Sequence, residues 1–340
     1  MDVHITPIAG DMDETTRPQR ICLFSHPRTA CNLLFRLLGS HPSFEAVGPF
    51  DFVPAYFIGQ DFQSPSSREL VLLASGLSEE EASKISYQAS LDAVEHAIRE
   101  AEIKGKVPLT MEHPYMIMDS SAVNEYLKLS NPIRPSPTIV DRMLDVPSPS
   151  AAQGAPSSNP TLLPDRLYYS FTPIIVIRHP ARVLPSYVRL AGENLGSALD
   201  SDDMPLIASF QCERLVFDSF RDAGITPIVV DGERLVKDPH GQMKKLCNAL
   251  AIDDGQIKYT WDAVPEGQIV GSLGRITTAF FSRLSQSTGV IPDPRFEIPL
   301  KLEDEVLRWA EEWNADVARK LEIYVLGAME DYEYLLEYSL

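Results

Sequence analysis

The sequence has few cysteines, and they lie far apart. The four, Cys22, Cys31, Cys212 and Cys247, form no CxxC pair and have no histidine at ligand spacing. This distribution argues against a structural zinc site and against a dense disulfide framework. We therefore expect no metal site and a reducing compartment.

The sequence also lacks long apolar runs and an excess of basic residues. No run approaches membrane-spanning length, and residues 1–20 lack the basic start and apolar core of a secretory signal. The 30 basic and 48 acidic residues give a formal net charge of -18, which argues against broad binding to nucleic acid or to an anionic membrane. We expect a cytoplasmic protein whose small anionic ligand is bound by local basic groups; the sequence leaves the oligomeric state open.

The length is ample for a packed core, since 44% of the 340 residues are hydrophobic. We predict a single domain over residues 1–340. Residues 1–18 are predicted to be a flexible N-terminal arm. The Pro- and Ser-rich residues 131–164 are predicted to be a mobile surface loop rather than a domain linker.

Strand, turn and helix follow one another twice. "RICLFSHPR" predicts a buried strand that stops at Pro27, and "TACNLLFRLLG" predicts the helix after it. "FTPIIVIRHPARVLPSYVRLAG" repeats the pattern, with Arg178 at the strand end. "KVPLTMEHP" predicts a third strand that delivers Glu112 and His113 at its carboxyl end, and "TPIVVDGERLVKD" a fourth. Strands that alternate with helices indicate a parallel sheet.

Three other segments carry patterns that predict local structure. The capping box of Ser78 and Glu81, with Lys104 and Gly105 as the stop, predicts one long helix. Residues 301–329 predict another long helix with Trp309 and Trp313 packed inward. The aromatic residues 48–62 indicate an irregular apolar wall or lid, for which ordinary core filling is the competing interpretation.

The turn "SHPRTACNLL" is placed where open parallel sheets bind ligands, at the carboxyl end of a strand. It is not a Walker A loop, because the glycines and the Lys-Ser/Thr pair of that motif are missing, so an ATP hydrolase is disfavoured. The turn offers the guanidinium of Arg28, the side chains of Thr29 and Asn32, and the amides of the helix start. This set suits phosphate or sulfate.

The two turns together resemble a known family. "SHPRTACNLL" resembles the 5′-phosphosulfate loop of sulfotransferases, and "IRHPARVLPSY" resembles their 3′-phosphate motif. "NPTLLPD" and "CERLVFDSF" are similar to the fungal and bacterial small-molecule branch. The resemblance implies a P-loop NTPase-like three-layer α/β sandwich, with a central parallel sheet flanked by helices. It also implies 3′-phosphoadenosine 5′-phosphosulfate (PAPS) as cofactor without a metal, bound by Arg28, Thr29, Ala30, Cys31, Asn32, Arg178 and Ser186.

The resemblance also implies a reaction. "MEHPY" is similar to the family's strand end, which makes His113 the general base, while Arg28 stabilises the leaving phosphate. The acceptor would be a hydroxyl of a small, apolar or aromatic metabolite, with Phe50 to Phe62 lining its pocket. His26 and His179 are interpreted as turn-stabilising, and Tyr187 as packing. Weaker candidates for covering the cofactor are Arg275, Ser285 and Thr288.

Three residues depart from the family pattern and keep two alternatives open. Ala30 stands where a glycine is common, Met111 where a lysine is common, and Arg182 where an aspartate is common. One alternative is an enzyme of the same fold that performs elimination or cyclisation on a secondary metabolite without sulfation. The other is a nucleotide-binding protein without catalysis.

Overall fold

The computed structural model describes residues 20–64, 68–127, 135–142, 159–195, 199–264 and 275–340. The predicted arm, residues 1–18, lies outside these ranges. So do residues 131–134 and 143–158 of the predicted 131–164 loop. The prediction of a single domain stays a prediction.

Five parallel strands form one sheet in the order β2-β3-β1-β4-β5. The strands are β1 (Ile21–Ser25), β2 (Phe44–Pro49), β3 (Val107–Glu112), β4 (Thr172–Ile177) and β5 (Ile228–Asp231). The predicted parallel sheet is confirmed, and four of its strands are the predicted ones. No local pattern predicted β2, because this strand lies at an edge of the sheet and buries only Phe44 and Val47, which leaves no continuous apolar run.

Helices cover both faces of this sheet. The α-helices of the described residues are α1 (Cys31–Gly39), α2 (Val53–Phe57), α3 (Arg68–Ser75), α4 (Glu79–Ala82), α5 (Tyr87–Ile103), α6 (Pro114–Ile117), α7 (Ser120–Leu127), α8 (Asp165–Tyr168), α9 (Pro180–Leu195), α10 (Met204–Ile207), α11 (Gln211–Asp222), α12 (Gly232–Lys237), α13 (Pro239–Ala249), α14 (Arg275–Ser285), α15 (Leu302–Glu312) and α16 (Ala315–Leu336).

The alternation of side chains along β1 explains the three layers. Ile21 and Leu23 pack into an apolar cluster with α1 and α13, whereas Cys22 and Phe24 pack into a cluster with α5, α9, α11 and α16. Successive residues of a strand point to opposite faces, so a strand that is apolar throughout needs a helical layer on each side. The predicted three-layer sandwich is therefore confirmed.

Two helices predicted to be long are each broken in two. The capping box of Ser78 and Glu81 is confirmed, but it opens only α4, and Ser86 caps α5 by accepting from the Ala89 N–H. Near the end of the chain, Asn314 accepts from the Val317 N–H and separates α15 from α16. Ser and Asn side chains form hydrogen bonds with nearby backbone groups, so they favour helix caps over helix interiors. The period of the apolar residues, from which the long helices were predicted, does not record this preference.

The tryptophans of this C-terminal region therefore lie on different elements. Trp309 is on α15 and is 2% exposed in the core. Trp313, just after α15, packs partly buried against the same core, with the Arg189 guanidinium 5.4 Å from its ring. The predicted inward packing of both tryptophans is confirmed, whereas the prediction of one long helix is wrong.

Gly232, the first residue after β5, lies directly under the turn that follows β1. A Cβ atom at this position would lie 1.9 Å from the carbonyl oxygen of Thr29 and 3.4 Å from the Cβ of Ala30. Only glycine fits there, because both neighbours belong to a backbone turn rather than to the end of a flexible side chain.

We predict that Gly232→Ala lowers the free energy of unfolding by at least about 1–3 kcal/mol, because the new methyl group must displace backbone. Urea unfolding measures this loss. The matched control is Gly327→Ala in α16, where a Cβ meets nothing within 4 Å and helix propensity should add up to about 1 kcal/mol of stability. Equal effects of the two substitutions would contradict the close contact.

Candidate functional site

The turn between β1 and α1 is strained. Arg28 has a φ of 69° and Ala30 a φ of 66°, both in the left-handed region that favours glycine. Ala30 is the N-cap of α1 and offers no side-chain cap. The hydroxyl of Thr29 donates to the carbonyl oxygen of His26 at 2.7 Å and closes the turn from inside. Thr29 is fully buried, and its hydroxyl group forms its hydrogen bond within the turn.

The two turn histidines make contacts within the protein. The Nε2 atom of His26 donates to the carbonyl oxygen of Ile207 at 2.5 Å, and its ring stacks on Phe210. The Nδ1 atom of His179 accepts from the Ala181 N–H at 3.1 Å at the start of α9. Burial lowers the pKa of both imidazoles to about 4, so both are neutral at pH 7. These contacts support the turn-stabilising interpretation.

The two predicted anion turns meet in the structure. The Nε atom of Arg28 donates to the hydroxyl of Ser186 at 3.1 Å, and its Nη1 atom donates to the carbonyl oxygen of Phe280 at 3.4 Å. Arg178 in turn donates through Nη1 to the carbonyl oxygen of Arg28 at 3.2 Å. Residues 28, 178 and 186, far apart in the chain, thus form one hydrogen-bonded group.

Burial affects both arginines of this group. It lowers the pKa of Arg28, and it lowers the pKa of Arg178 to about 10. Both guanidinium groups are still protonated at pH 7. Two cations held near each other away from water favour an anion strongly, since little solvent screens them.

A cavity of about 450 Å³ opens beside this group. Six of the predicted site residues line it: Arg28, Ala30, Cys31, Asn32, His113 and Arg178. The structure brings them together from three different strand ends. Thr29 and Ser186 are not in the lining, because Thr29 is inside the turn and Ser186 contacts Arg28.

His113 follows β3 and is held as a neutral hydrogen-bond acceptor. Its Nδ1 atom donates to the carbonyl oxygen of Ser25 at 2.5 Å, which leaves the lone pair on Nε2. Burial lowers its pKa to about 3. Phe50, at a ring distance of 4.3 Å, and Tyr115, at 6.1 Å, pack against the imidazole. A neutral imidazole fixed in one tautomer can accept a proton from a hydroxyl group.

Glu112 and Met111, the neighbours of His113, do not contribute to the cavity lining. Glu112 is buried and accepts from the Phe52 N–H at 3.4 Å, and burial raises its pKa. It does not orient His113, whose Nδ1 atom bonds to the carbonyl oxygen of Ser25 instead. Met111 is fully buried in the apolar cluster against α1.

The aromatic rings of the cavity lining come largely from two parts of the chain, the predicted aromatic segment and the C-terminal region. Phe50, Val53 and Phe57 come from the predicted aromatic segment, while Phe52 and Tyr56 fill the core. Residues 48–62 thus supply both part of an apolar cavity wall and ordinary core filling, so each interpretation is partly right. The segment is not wholly irregular, because it contains helix α2 and the end of β2. The C-terminal region adds Phe280, Phe281, Leu284, Val290, Ile291 and Phe296. Other elements also contribute to the apolar lining: Leu33, Val71, Tyr115, Met116, Tyr187 and Val236.

The C-terminal candidates from the sequence do not match this lining. Ser285 is buried and Thr288 is exposed, and neither lines the cavity. The side chain of Arg275 lies outside the described part of the chain. The sequence did not predict the cavity-lining residues Arg283 and Asp293, since no motif marks them. It also passed over Glu233, although a polar residue just after β5 follows the strand-end rule that selected Arg28 and Arg178.

The polar groups at the cavity fit a ligand with two anionic groups. The Nε atom of Arg178 is a buried donor without a hydrogen-bond partner and fits an anion, whereas the unpartnered Oδ1 atom of Asn32 is an acceptor and would need a donor on the ligand. Leaving such an atom unpaired costs about 1–3 kcal/mol, which a bound polar ligand can recover. Within the described ranges, no group of three or more His, Cys, Asp or Glu side chains could hold a metal ion. The helices of those ranges also include none that is long and apolar enough to cross a membrane.

A matching family model and two relatives of this chain name the same family. A model described as the sulfotransferase family matches residues 19–255. Two relatives named sulfotransferase ppzF, from Metarhizium majus (strain ARSEF 297) and Metarhizium rileyi (strain RCEF 4871), are each 27% identical over 94% of this chain and cover 96% and 95% of their own lengths.

Two solved structures are similar along most of the chain. One is the sulfotransferase domain of the Synechococcus PCC 7002 olefin synthase, with 16% identity, a TM-score of 0.36 and coverage of 96% of this chain and 98% of that one. The other is the sulfotransferase domain from the curacin biosynthetic pathway, with 14% identity, a TM-score of 0.36 and coverage of 88% and 98%.

We predict that His113→Gln reduces the acid sensitivity of the protein. The pKa of His113 is about 3 when folded, against an ordinary value of 6.5, so between these values the unfolded chain binds more protons than the folded one. The free energy of unfolding of the wild type minus that of the variant should therefore rise with pH between these two pKa values. The rise is at most about 1.4 kcal/mol per pH unit, and the difference levels off at higher pH. Urea unfolding across this pH range measures the difference. A difference that does not vary with pH would show that His113 is not buried in its neutral form.

Proposed function

The chain belongs to the sulfotransferase family, and we propose that it transfers a sulfuryl group from PAPS to a hydroxyl group of a small metabolite. The observation that carries the proposal is the joining of the two anion turns, in which Arg178 donates to the carbonyl oxygen of Arg28 while Arg28 donates to Ser186. The family is the one that the motifs of these turns predicted, and the matched relatives are fungal, as the small-molecule branch implied.

The residues of the two turns fit the two ends of the donor nucleotide. Arg28, Asn32 and the start of α1 would hold the 5′ end, where the donor supplies a sulfuryl group on an activated phosphate. Arg178 and Ser186 would hold the 3′-phosphate. The Nε atom of Arg178, a buried donor without a hydrogen-bond partner, supports the assignment of the 3′ end, because it can donate to a phosphate oxygen.

His113 is the proposed general base. Its Nε2 atom takes the proton of the acceptor hydroxyl as the acceptor oxygen forms its bond to sulfur. The hydrogen bond from Nδ1 to Ser25 supports this role, because it fixes the tautomer that a base requires. Burial keeps the imidazole neutral before the reaction begins, and the negative charge of a bound donor would raise its lowered pKa, as a base requires.

Arg28 is the proposed stabiliser of the leaving phosphate. As the bond between sulfur and the phosphate oxygen breaks, that oxygen keeps the electron pair, and its negative charge grows. A guanidinium group that is already oriented by Ser186 and by the Phe280 carbonyl can stabilise this charge without reorganising. Arg28 cannot serve as the acid, because its pKa stays too high for proton transfer at pH 7.

The apolar lining supports a small acceptor with an apolar or aromatic body. Phe50 lies against His113 and 6.1 Å from Phe281, so an aromatic wall stands beside the proposed base. Such rings favour the flat, apolar face of a phenol or a similar alcohol. A cavity of about 450 Å³ suits a ligand of small-molecule size.

The first test is binding of adenosine 3′,5′-bisphosphate, measured by calorimetry. We expect micromolar affinity in the wild type and a loss of about tenfold to a hundredfold in Arg28→Met, since a hydrogen bond to a charged group contributes about 1.5–3 kcal/mol. Arg319→Met is the matched control, because this arginine is exposed on α16 and should leave affinity unchanged. No binding by the wild type would remove the donor and favour elimination or cyclisation chemistry.

The second test concerns the base. With radiolabelled donor and a panel of phenols and alcohols, we expect His113→Ala to lower kcat by about 10²–10⁴ while the affinity for the bisphosphate is retained. The control is His96→Ala, at an exposed position on α5. Unchanged turnover in the variant would discard His113 as the base. Binding without sulfation of any acceptor would favour a nucleotide-binding protein without catalysis.

A further inference from the structure

Arg178 shares a partly buried carboxylate with a second arginine. The Nε atom of Arg178 lies 3.8 Å from Oε1 of Glu233, and the Nε atom of Arg182 lies 3.9 Å from the same oxygen. These separations exceed hydrogen-bond distance, and all three atoms are buried without a hydrogen-bond partner. Glu233 thus balances the charge of two guanidinium groups without being firmly bonded through this oxygen to either.

Arg182 is the fixed member of the pair. Its Nη1 atom donates to Oε1 of Glu305 at 2.8 Å, and its Nη2 atom donates to the carbonyl oxygen of Arg295 at 3.3 Å. Arg182 is 7% exposed and Glu305 is 5% exposed. The other oxygen of Glu305 accepts from Arg308 at 2.7 Å. A buried ion pair with several hydrogen bonds cannot be displaced at low cost.

Arg178 is the member that faces the cavity. It lines the cavity beside Phe296, whose ring centre is 5.1 Å from its guanidinium carbon. The nearby carboxylate of Asp293 is already occupied, because Arg295 donates to it at 2.6 Å. Glu233 is therefore the carboxylate that would compete with a bound anion for Arg178.

We propose that Arg182 is a positioning residue for the 3′-phosphate of the donor: by sharing Glu233, it keeps this carboxylate from neutralising Arg178 and leaves that guanidinium available to the phosphate. The inference rests on the proposed function, since it concerns the group that Arg178 would bind.

The proposal predicts opposite effects of two substitutions. Arg182→Met lets Glu233 pair with Arg178 alone and should weaken the binding of adenosine 3′,5′-bisphosphate about tenfold. Glu233→Gln removes the competing charge and should strengthen that binding several-fold. Adenosine 5′-phosphate, which has no 3′-phosphate, is the control ligand, and its affinity should change little in either variant. Calorimetry, or competition for the weaker ligand, measures both affinities.

The double variant separates positioning from a general effect of charge. If Arg182 acts by holding Glu233, then Arg182→Met should have no further effect in the Glu233→Gln background, whereas a general charge effect would be additive. Glu233→Gln also keeps the anchor between Arg182 and Glu305 intact, so it tests the proposal even if Arg182→Met unfolds. Thermal unfolding of each variant identifies such a case.

The outcomes also separate this inference from the proposed function. A wild type that binds the bisphosphate no better than the monophosphate would overturn both. A wild type that prefers the bisphosphate would keep the donor proposal. In that case, any of three results would overturn the role of Arg182 alone. These are additive effects in the double variant, affinity changes in the same direction in the two single variants, and equal changes in affinity for the bisphosphate and the monophosphate.

Discussion

The contact between the Thr29 carbonyl and Gly232 is the constraint on which the site depends. It places the turn after β1 directly on the start of α12, which follows β5. The left-handed backbone at Arg28 and Ala30 is then held from below by Gly232 and from inside by the Thr29 hydroxyl. Strain of this kind persists only where the surroundings over-determine it. Because the turn is fixed in this way, Arg28 reaches Ser186 and its carbonyl oxygen reaches Arg178.

Charge is distributed unevenly between the site and the rest of the molecule. The chain as a whole has a formal net charge of -18, yet the cavity is lined by Arg28, Arg178 and Arg283. Burial lowers the pKa of Arg28 and Arg178, which is the energetic sign that these cations are held away from water. The acidic surface therefore does not prevent a local anion site, since charges beyond about 10 Å are largely screened by salt while buried neighbours are not.

The sequence predicted well those elements whose signal is local. The apolar runs of β1, β3, β4 and β5 end in turns that the chain marks with Pro or polar residues, and Arg28, His113 and Arg178 follow directly from those ends. The helix breaks at Ser86 and Asn314 were not predicted, because each cap is a single residue and the helical spacing of the apolar residues continues through it. The edge strand β2 was missed because only two of its six residues are buried. The C-terminal lining was missed because Phe280 and Phe281 look like the core of any amphipathic helix.

By itself, the sequence determined the chemistry that is available: two arginines and a histidine at strand ends, a helix start beside an anion turn, and an aromatic segment. The tertiary structure alone decided which of these groups meet. It placed Phe280 over Arg28, turned Glu112 away from His113, and gave Arg178 and Arg182 a common carboxylate in Glu233. Local patterns record the burial and backbone preference of neighbouring residues. Contacts across 50 to 250 residues depend instead on the strand order β2-β3-β1-β4-β5, which brings distant strand ends to one edge of the sheet.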